Sequence, residues 1–99
     1  MKEIEFTWDE NKNRINIQKH GIDFSEAVTV FYDTEAIVFD DPDHSDSEER
    51  FLILGVSQAE RLCIVSHCYR GNDDIIRIIS ARKATKRERE TYADWNGGN

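Results

Sequence analysis

The first residues alternate, and the period then changes. Glu3 to Thr7 reads E-I-E-F-T, charged and apolar in turn, the period of a half-buried strand. A helix follows over about Asp9 to His20. Asp9 suits its N-cap, Glu10 the positive N-terminal end, Lys19 and His20 the negative C-terminal end, and Gly21 the left-handed stop. Trp8, Lys12, Asn16 and His20 recur every fourth position and form one line of mixed chemistry on its surface. Phe24, Ala27, Val28 and Phe31 then fall at helical spacing, with Ser25 available as a cap, which predicts a short core helix over Ser25 to Tyr32.

The second half has strand period. Ala36 to Asp40 is a short apolar run that enters an acidic loop, Asp41 to Glu49, containing the only proline, Pro42. Phe51 to Val56, Leu62 to Tyr69 and Ile75 to Ala81 are three further strand-like runs joined by connections of hairpin length. A last helix opens on Thr85-Lys-Arg-Glu88, the capping-box spacing, with Glu88, Tyr92 and Trp95 on one face. The order β-α-α-β-β-β-β-α predicts an α+β fold: an antiparallel meander with two helices on one face and a C-terminal helix. Each of the first two helices is expected to give one apolar stripe, so the opposite sheet face must be solvated, partnered or functional.

With 99 residues the chain holds one core, expected over residues 1–95 with a disordered tail at 96–99. It is 38% hydrophobic and carries five Phe, three Tyr and two Trp, enough to fold without metal or disulfide staples. Cys63 and Cys68 lie an odd number of positions apart in a strand, so their side chains should point to opposite faces and not bridge. No run approaches a membrane span and the N-terminus MKEIEFTW lacks the features of a signal peptide, so a cytoplasmic protein with no membrane contact is expected.

Charge changes the picture more than composition does. The net charge is −7, yet Arg77 to Arg89 contains six basic residues against the single acid Glu88. That segment is the part of the chain suited to a polyanion, although such a run can equally be a solvated helix face. Strict alternation in the last strand puts Ile76, Ile78, Ser80 and Arg82 on one face and Ile75, Arg77, Ile79 and Ala81 on the other, so arginine is expected on both faces. Arg77 is either a paired structural arginine or a phosphate ligand. Arg82 and Lys83 stand at the turn into the last helix, whose N-terminus favours anions. Among proton carriers, His20 reads as a partner of the helix dipole and His67 as a sheet-surface histidine. His44, flanked by acids, reads as a proton donor, and Glu49-Arg50 is the best carboxylate and guanidinium pair. Scattered histidines and the missing Cys-x-x-Cys pair argue against a metal site, and no phosphate-binding glycine loop or dinucleotide fingerprint calls for a cofactor.

The string Trp8-Asp9-x-x-Lys12-x-x-x-Asn16-x-x-Lys19-His20-Gly21, then Phe24-x-Glu26-Ala27, Asp43-His44-Ser45, Glu49-Arg50-Phe51 and Arg77-Ile-Ile-Ser-Ala-Arg82-Lys83-Ala84-Thr85-x-x-Glu88 resembles the BrnT family of toxins. The resemblance spans about Phe6 to Tyr92. It implies a RelE-like ribonuclease of a type II toxin-antitoxin pair that cuts RNA without metal through the ribose 2′-hydroxyl and so inhibits translation. Its implied partners are RNA and a BrnA-like ribbon-helix-helix antitoxin, with operator DNA met only through that antitoxin. On this reading Arg82, Arg77 and Lys86 stabilise the phosphate, Glu49 or His44 handles the proton, and Lys12, Arg50, Lys83 and Arg87 bind RNA. The other reading is a non-catalytic module whose open sheet face docks a partner and modulates its DNA binding. If the antitoxin covers that face, it and RNA compete.

Overall fold

A computed structural model describes residues 3–43 and 48–97. It contains β1 (Glu5–Thr7), α1 (Glu10–His20), α2 (Phe24–Val30), β2 (Ile37–Asp40), β3 (Phe51–Val56), β4 (Leu62–Arg70), β5 (Ile75–Lys83) and α3 (Lys86–Trp95). This is the order expected from the pattern. The expected caps of α1 and α3 form. The Asp9 carboxylate accepts from the amides of Asn11 at 2.8 Å and Lys12 at 3.2 Å, and Gly21 stops α1 at φ 70°. In α3, Thr85 accepts from the Glu88 amide at 3.2 Å while the Glu88 carboxylate accepts from the Thr85 amide at 2.8 Å. The cap of α2 is Asp23 and not Ser25. Ser25 stands in the first turn, where its own amide needs an acceptor, and the Asp23 carboxylate supplies it at 2.9 Å.

The strands lie in the order β1-β5-β4-β3-β2. From β2 to β5 each strand pairs antiparallel with the next, but β1 joins β5 in parallel, Glu5 opposite Ile75 and Thr7 opposite Arg77. The sheet is therefore mixed and not a pure antiparallel meander. Short turns force antiparallel pairing on β3, β4 and β5, whereas β1 and β5, separated by most of the chain, are free of that constraint.

A bulge changes which side chains share a face. Ser66 of β4 faces Ser80, but His67 faces Ile78, so Ile79 is the extra residue and the alternation of β5 reverses there. Ile76, Ile78 and Ala81 consequently all enter the core beneath α1 and α2, with Phe24, Val30, Ile53 and Val65. Arg77, Ser80 and Arg82, paired with Cys68, Ser66 and Ile64, take the opposite face. The expected grouping of Ile76 and Ile78 with Arg82, and of Arg77 with Ala81, is thus corrected: both arginines share one face.

Three other expectations are revised. The buried side chains of α1 are Asn13 and Asn16, while Ile15 and Ile17 are exposed, so α1 offers no apolar stripe. Asn16 donates to the Ala81 carbonyl at 2.9 Å and accepts from the Ala81 amide at 3.0 Å, which docks α1 on β5 beyond the stretch paired with β1. His67 is fully buried and not a sheet-surface residue. Its ring lies against Phe31, Phe51 and Tyr69, its Nδ1 contacts the Val65 carbonyl at 3.2 Å, and its Nε2 has no hydrogen-bond partner among the described residues. Burial pushes its pKa down, opposed by the bond to Val65. Finally, Trp95 is 72% exposed and does not share the packing of Tyr92.

On the opposite face α3 covers only one end. Tyr92 packs there against the cluster of Leu54, Ile64 and Ala84 and donates to the Asp33 carboxylate at 2.7 Å. Burial and that carboxylate push the Tyr92 hydroxyl up to about 12. Gly55 lets the chain after α2 lie close on β3, since a Cβ at this position would come within 2.9 Å of the Ala36 Cβ. Cys63 and Cys68 are free thiols on opposite faces, as expected. No helix among the described residues is long and apolar enough to cross a membrane.

Candidate active site on the open sheet face

The part of the face that α3 leaves open forms a groove of about 730 Å³. Its floor is sheet: Phe39 of β2, Leu52 of β3, Ile64 and Ser66 of β4, and Ser80 and Arg82 of β5. Asp40, Asp41, Pro42, Asp43 and Arg50 form one wall, and His20 and Glu88 reach in from the ends of α1 and α3. Two arginines and a histidine therefore line the groove with Asp41, Asp43 and Glu88 above an apolar and hydroxyl floor, while the register turns the Asp40 side chain, opposite Phe51, to the other face.

Arg82 is the best-defined group. Its Nη1 and Nη2 donate to the two Glu88 oxygens at 2.8 and 2.9 Å, and Nη1 also reaches the Lys83 carbonyl at 3.2 Å. This fork leaves the Nε–H and one Nη2–H of the guanidinium outside those bonds. Arg82 in turn holds the Glu88 carboxyl down at about 2, assisted by the Thr85 amide, so Glu88 stays ionised. Because Glu88 also closes the capping box, the start of α3 fixes the orientation of Arg82.

Across the groove, Arg50 donates to Glu48 at 3.2 Å, and Arg70 grips the same carboxylate at 2.8 Å. The two arginines together lower the Glu48 pKa, Arg70 contributing most. The carboxylate beside Arg50 is thus Glu48 and not the expected Glu49, which is exposed. Between the arginines, the buried Asp41 accepts from the Ser66 hydroxyl at 3.2 Å and the Asp43 amide at 2.9 Å.

Of the residues expected in the site, Arg82 and Arg50 line the groove. Arg77 lies on the same face toward the β1 end, near enough to Asp9 for its charge to help lower that carboxyl, after the larger effect of the Lys12 and Asn11 amides. Glu49 is exposed just before β3. Lys86 and Arg87 are exposed in the first turn of α3. Lys83 is exposed, its register partner being Cys63 of the helix-covered face. Lys12 lines a separate, smaller hollow against α1. His44 lies outside the described residues. Ser66, Ser80 and Asp41 carried no expected role in the site, and His20, expected as a partner of the helix dipole, lines the groove. The fourfold spacing of Asn16 and His20 was the available signal, because the line that carries Asn16 onto β5 also carries His20 to the groove. Among the described residues no group of His, Cys, Asp or Glu is gathered as metal ligands.

Comparisons with known proteins agree with this architecture. No curated protein matches the chain. The fold is similar to the 1.1 Å crystal structure of the Brucella abortus ribonuclease toxin BrnT, at 28% identity and a TM-score of 0.62, over 87% of this chain and all of that one. The family model for the ribonuclease toxin BrnT of type II toxin-antitoxin systems matches residues 8–88, from the tryptophan before α1 to the glutamate that orients Arg82. With the match covering most of its length, the chain belongs to the BrnT family of ribonuclease toxins.

Proposed function

We propose that this chain is a cytoplasmic, metal-independent endoribonuclease with a RelE-like fold that inhibits translation by cutting RNA through the ribose 2′-hydroxyl. The observation that carries the reading is the Arg82 guanidinium, held in a groove by Glu88 with two N–H groups to spare. Those donors suit the non-bridging oxygens of a phosphate as charge develops on them, and Arg50 provides the same chemistry from the opposite wall. Arg77 on the same face and Lys86 and Arg87 at its end extend the positive potential along a bound strand, and Lys83, exposed at the edge beside them, adds to it. Glu49 or His44 serves proton transfer.

The partner is a BrnA-like ribbon-helix-helix antitoxin, which covers the open face and thereby competes with RNA, while operator DNA is contacted through the antitoxin alone. A largely acidic body carrying a local arginine pair suits this arrangement, since the protein inhibitor must neutralise what RNA would otherwise engage.

The test is cleavage of total RNA and of labelled oligoribonucleotides by the purified chain in chelator. Products ending in 2′,3′-cyclic phosphate are expected. Arg50→Ala and Arg82→Ala should each lower the rate by about 100-fold to 1,000-fold. Arg82→Ala also strips Glu88 of its partner, so its melting temperature is measured beside the rate, and Arg50→Ala serves as the control whose partner Glu48 keeps Arg70. Intact RNA at high concentrations of folded protein would overturn the reading.

A further inference from the structure

Two hollows meet at the end of α1. The first is the groove of Arg50 and Arg82; the second, of about 160 Å³, lies between α1 and β5 and is lined by Lys12, Lys19, Ile15 and Ile79. His20 and Ser80 line both. An extended chain running from one hollow to the other must cross the imidazole, with arginines on one side of the crossing and lysines on the other.

The imidazole is placed there by rigid structure. One turn earlier Asn16 is tied to both polar groups of Ala81 and to the Ile22 carbonyl at 2.9 Å, and one residue later Gly21 ends the helix in the left-handed conformation. The bulge at Ile79 turns Ser80 toward the groove to meet it.

The carboxylates of the groove are poor competitors for a hydroxyl proton. Glu88 is held ionised by Arg82, which makes it a very weak base. Asp41 already accepts from Ser66 and from the Asp43 amide. Asp40 and Asp43 are aspartates, by residue type weaker bases than an imidazole.

We infer that His20 is the general base of RNA cleavage and that the RNA strand runs from the Arg50 and Arg82 groove across His20 into the Lys12 and Lys19 hollow. This inference rests on the ribonuclease reading above. The imidazole takes the proton of the 2′-hydroxyl, the 2′-oxygen bonds to the adjacent phosphorus, and the bond from phosphorus to the 5′-oxygen breaks. Water protonates the departing 5′-oxygen, and the imidazolium returns its proton to the hydroxide so formed. The products are a 2′,3′-cyclic phosphate and a 5′-hydroxyl.

The experiment follows the cleavage rate of a labelled oligoribonucleotide by the full chain between about pH 5 and 8. His20→Ala and His20→Gln should each lose about 100-fold to 10,000-fold in kcat, together with the acid limb of the pH profile. Imidazole added to His20→Ala should restore part of the rate, which it cannot do for a purely structural residue. Lys12→Ala combined with Lys19→Ala should raise KM and leave the pH limb in place. A His20 variant that keeps kcat and the limb but melts earlier would overturn the inference and return His20 to a helix-dipole role. Loss of the limb in Glu49→Gln and not in His20→Gln would overturn it in favour of Glu49. In both cases the wild-type chain still cleaves RNA, whereas a wild-type chain that cuts nothing removes the ribonuclease reading and this inference together.

Discussion

The two faces of one sheet are built on different principles. The face under α1 and α2 is closed by apolar packing, and its polar groups, Asn13, Asn16 and His67, are buried. The open face carries apolar residues too, but among them stand the ion pairs Arg82–Glu88 and Arg50–Glu48 and the Ser66–Asp41 hydrogen bond. On the covered face a polar atom must be satisfied within the protein, because water does not reach it. On the open face the two ion pairs are part-exposed, so their arginines can exchange a partner for a ligand at small cost, while the Ser66–Asp41 hydrogen bond beside them is buried. The difference puts the exchangeable ion pairs on one side of a sheet whose strands serve both.

The largest effect is expected where polar structure is buried. Asn16→Leu removes the partner of the Ala81 amide and carbonyl and of the Ile22 carbonyl, at a cost of about 3 kcal/mol or more from three unsatisfied backbone groups. Urea denaturation should show it, and a loss under 1 kcal/mol would mean that water reaches this edge of β5 and that the covered face is less closed than described. A smaller effect is expected at Glu88 on the open face. Its carboxyl is lowered from an ordinary 4.5 to about 2, so its contribution is complete above pH 4.5 and lost as pH falls toward 2. Glu88→Gln should flatten that part of the stability profile and cost about 1 kcal/mol at neutral pH, chiefly from the weakened capping box and guanidinium clamp.

The smallest change, and the most diagnostic, is expected from His67→Phe. Burial lowers the His67 pKa below its ordinary 6.5, so the unfolded chain binds the proton more readily and stability falls as pH drops below 6.5. Phenylalanine should fit among Phe31, Phe51 and Tyr69, remove that dependence, and change stability at pH 8 by less than about 1 kcal/mol. Thermal melts between pH 5 and 8 would decide. A strong loss at pH 8 would show that Nε2 has a partner that matters.

Much of this was legible in the chain. Element order, the Asp9 and Gly21 ends of α1 and the Thr85–Glu88 box are local signals, set by residues within a turn of each other. The bulge was not legible, because Ile75 to Ala81 is strand-compatible at every position and the extra residue is defined by its partners on β4. That one residue decided the face of Arg82, and with it which residues could share a site with Arg77. The inward asparagines of α1 escaped for a related reason: a helix is expected to bury its isoleucines, and here long-range bonds to Ala81 and Phe24 outweigh that preference. The pairing of Arg50 with Glu48 was not legible either, since Glu48 is held from β4 by Arg70, and the burial of His67 depends on where α2 ends.

The parallel contact between β1 and β5 bears on how the molecule comes into being. Glu5 cannot meet Ile75 until nearly the whole chain exists, and α1, which docks through Asn16 on Ala81, has no platform before then. Strands β2 to β4 can zip as successive hairpins, but the first quarter of the polypeptide waits for the last. Arg82 and Glu88 are among the latest residues made, and His20 reaches the groove only when α1 has docked. The groove is therefore completed only when β5 is in place: a chain truncated before it keeps the Asp40 to Asp43 side but lacks Ser80, Arg82, Glu88 and the Ala81 platform on which α1 docks.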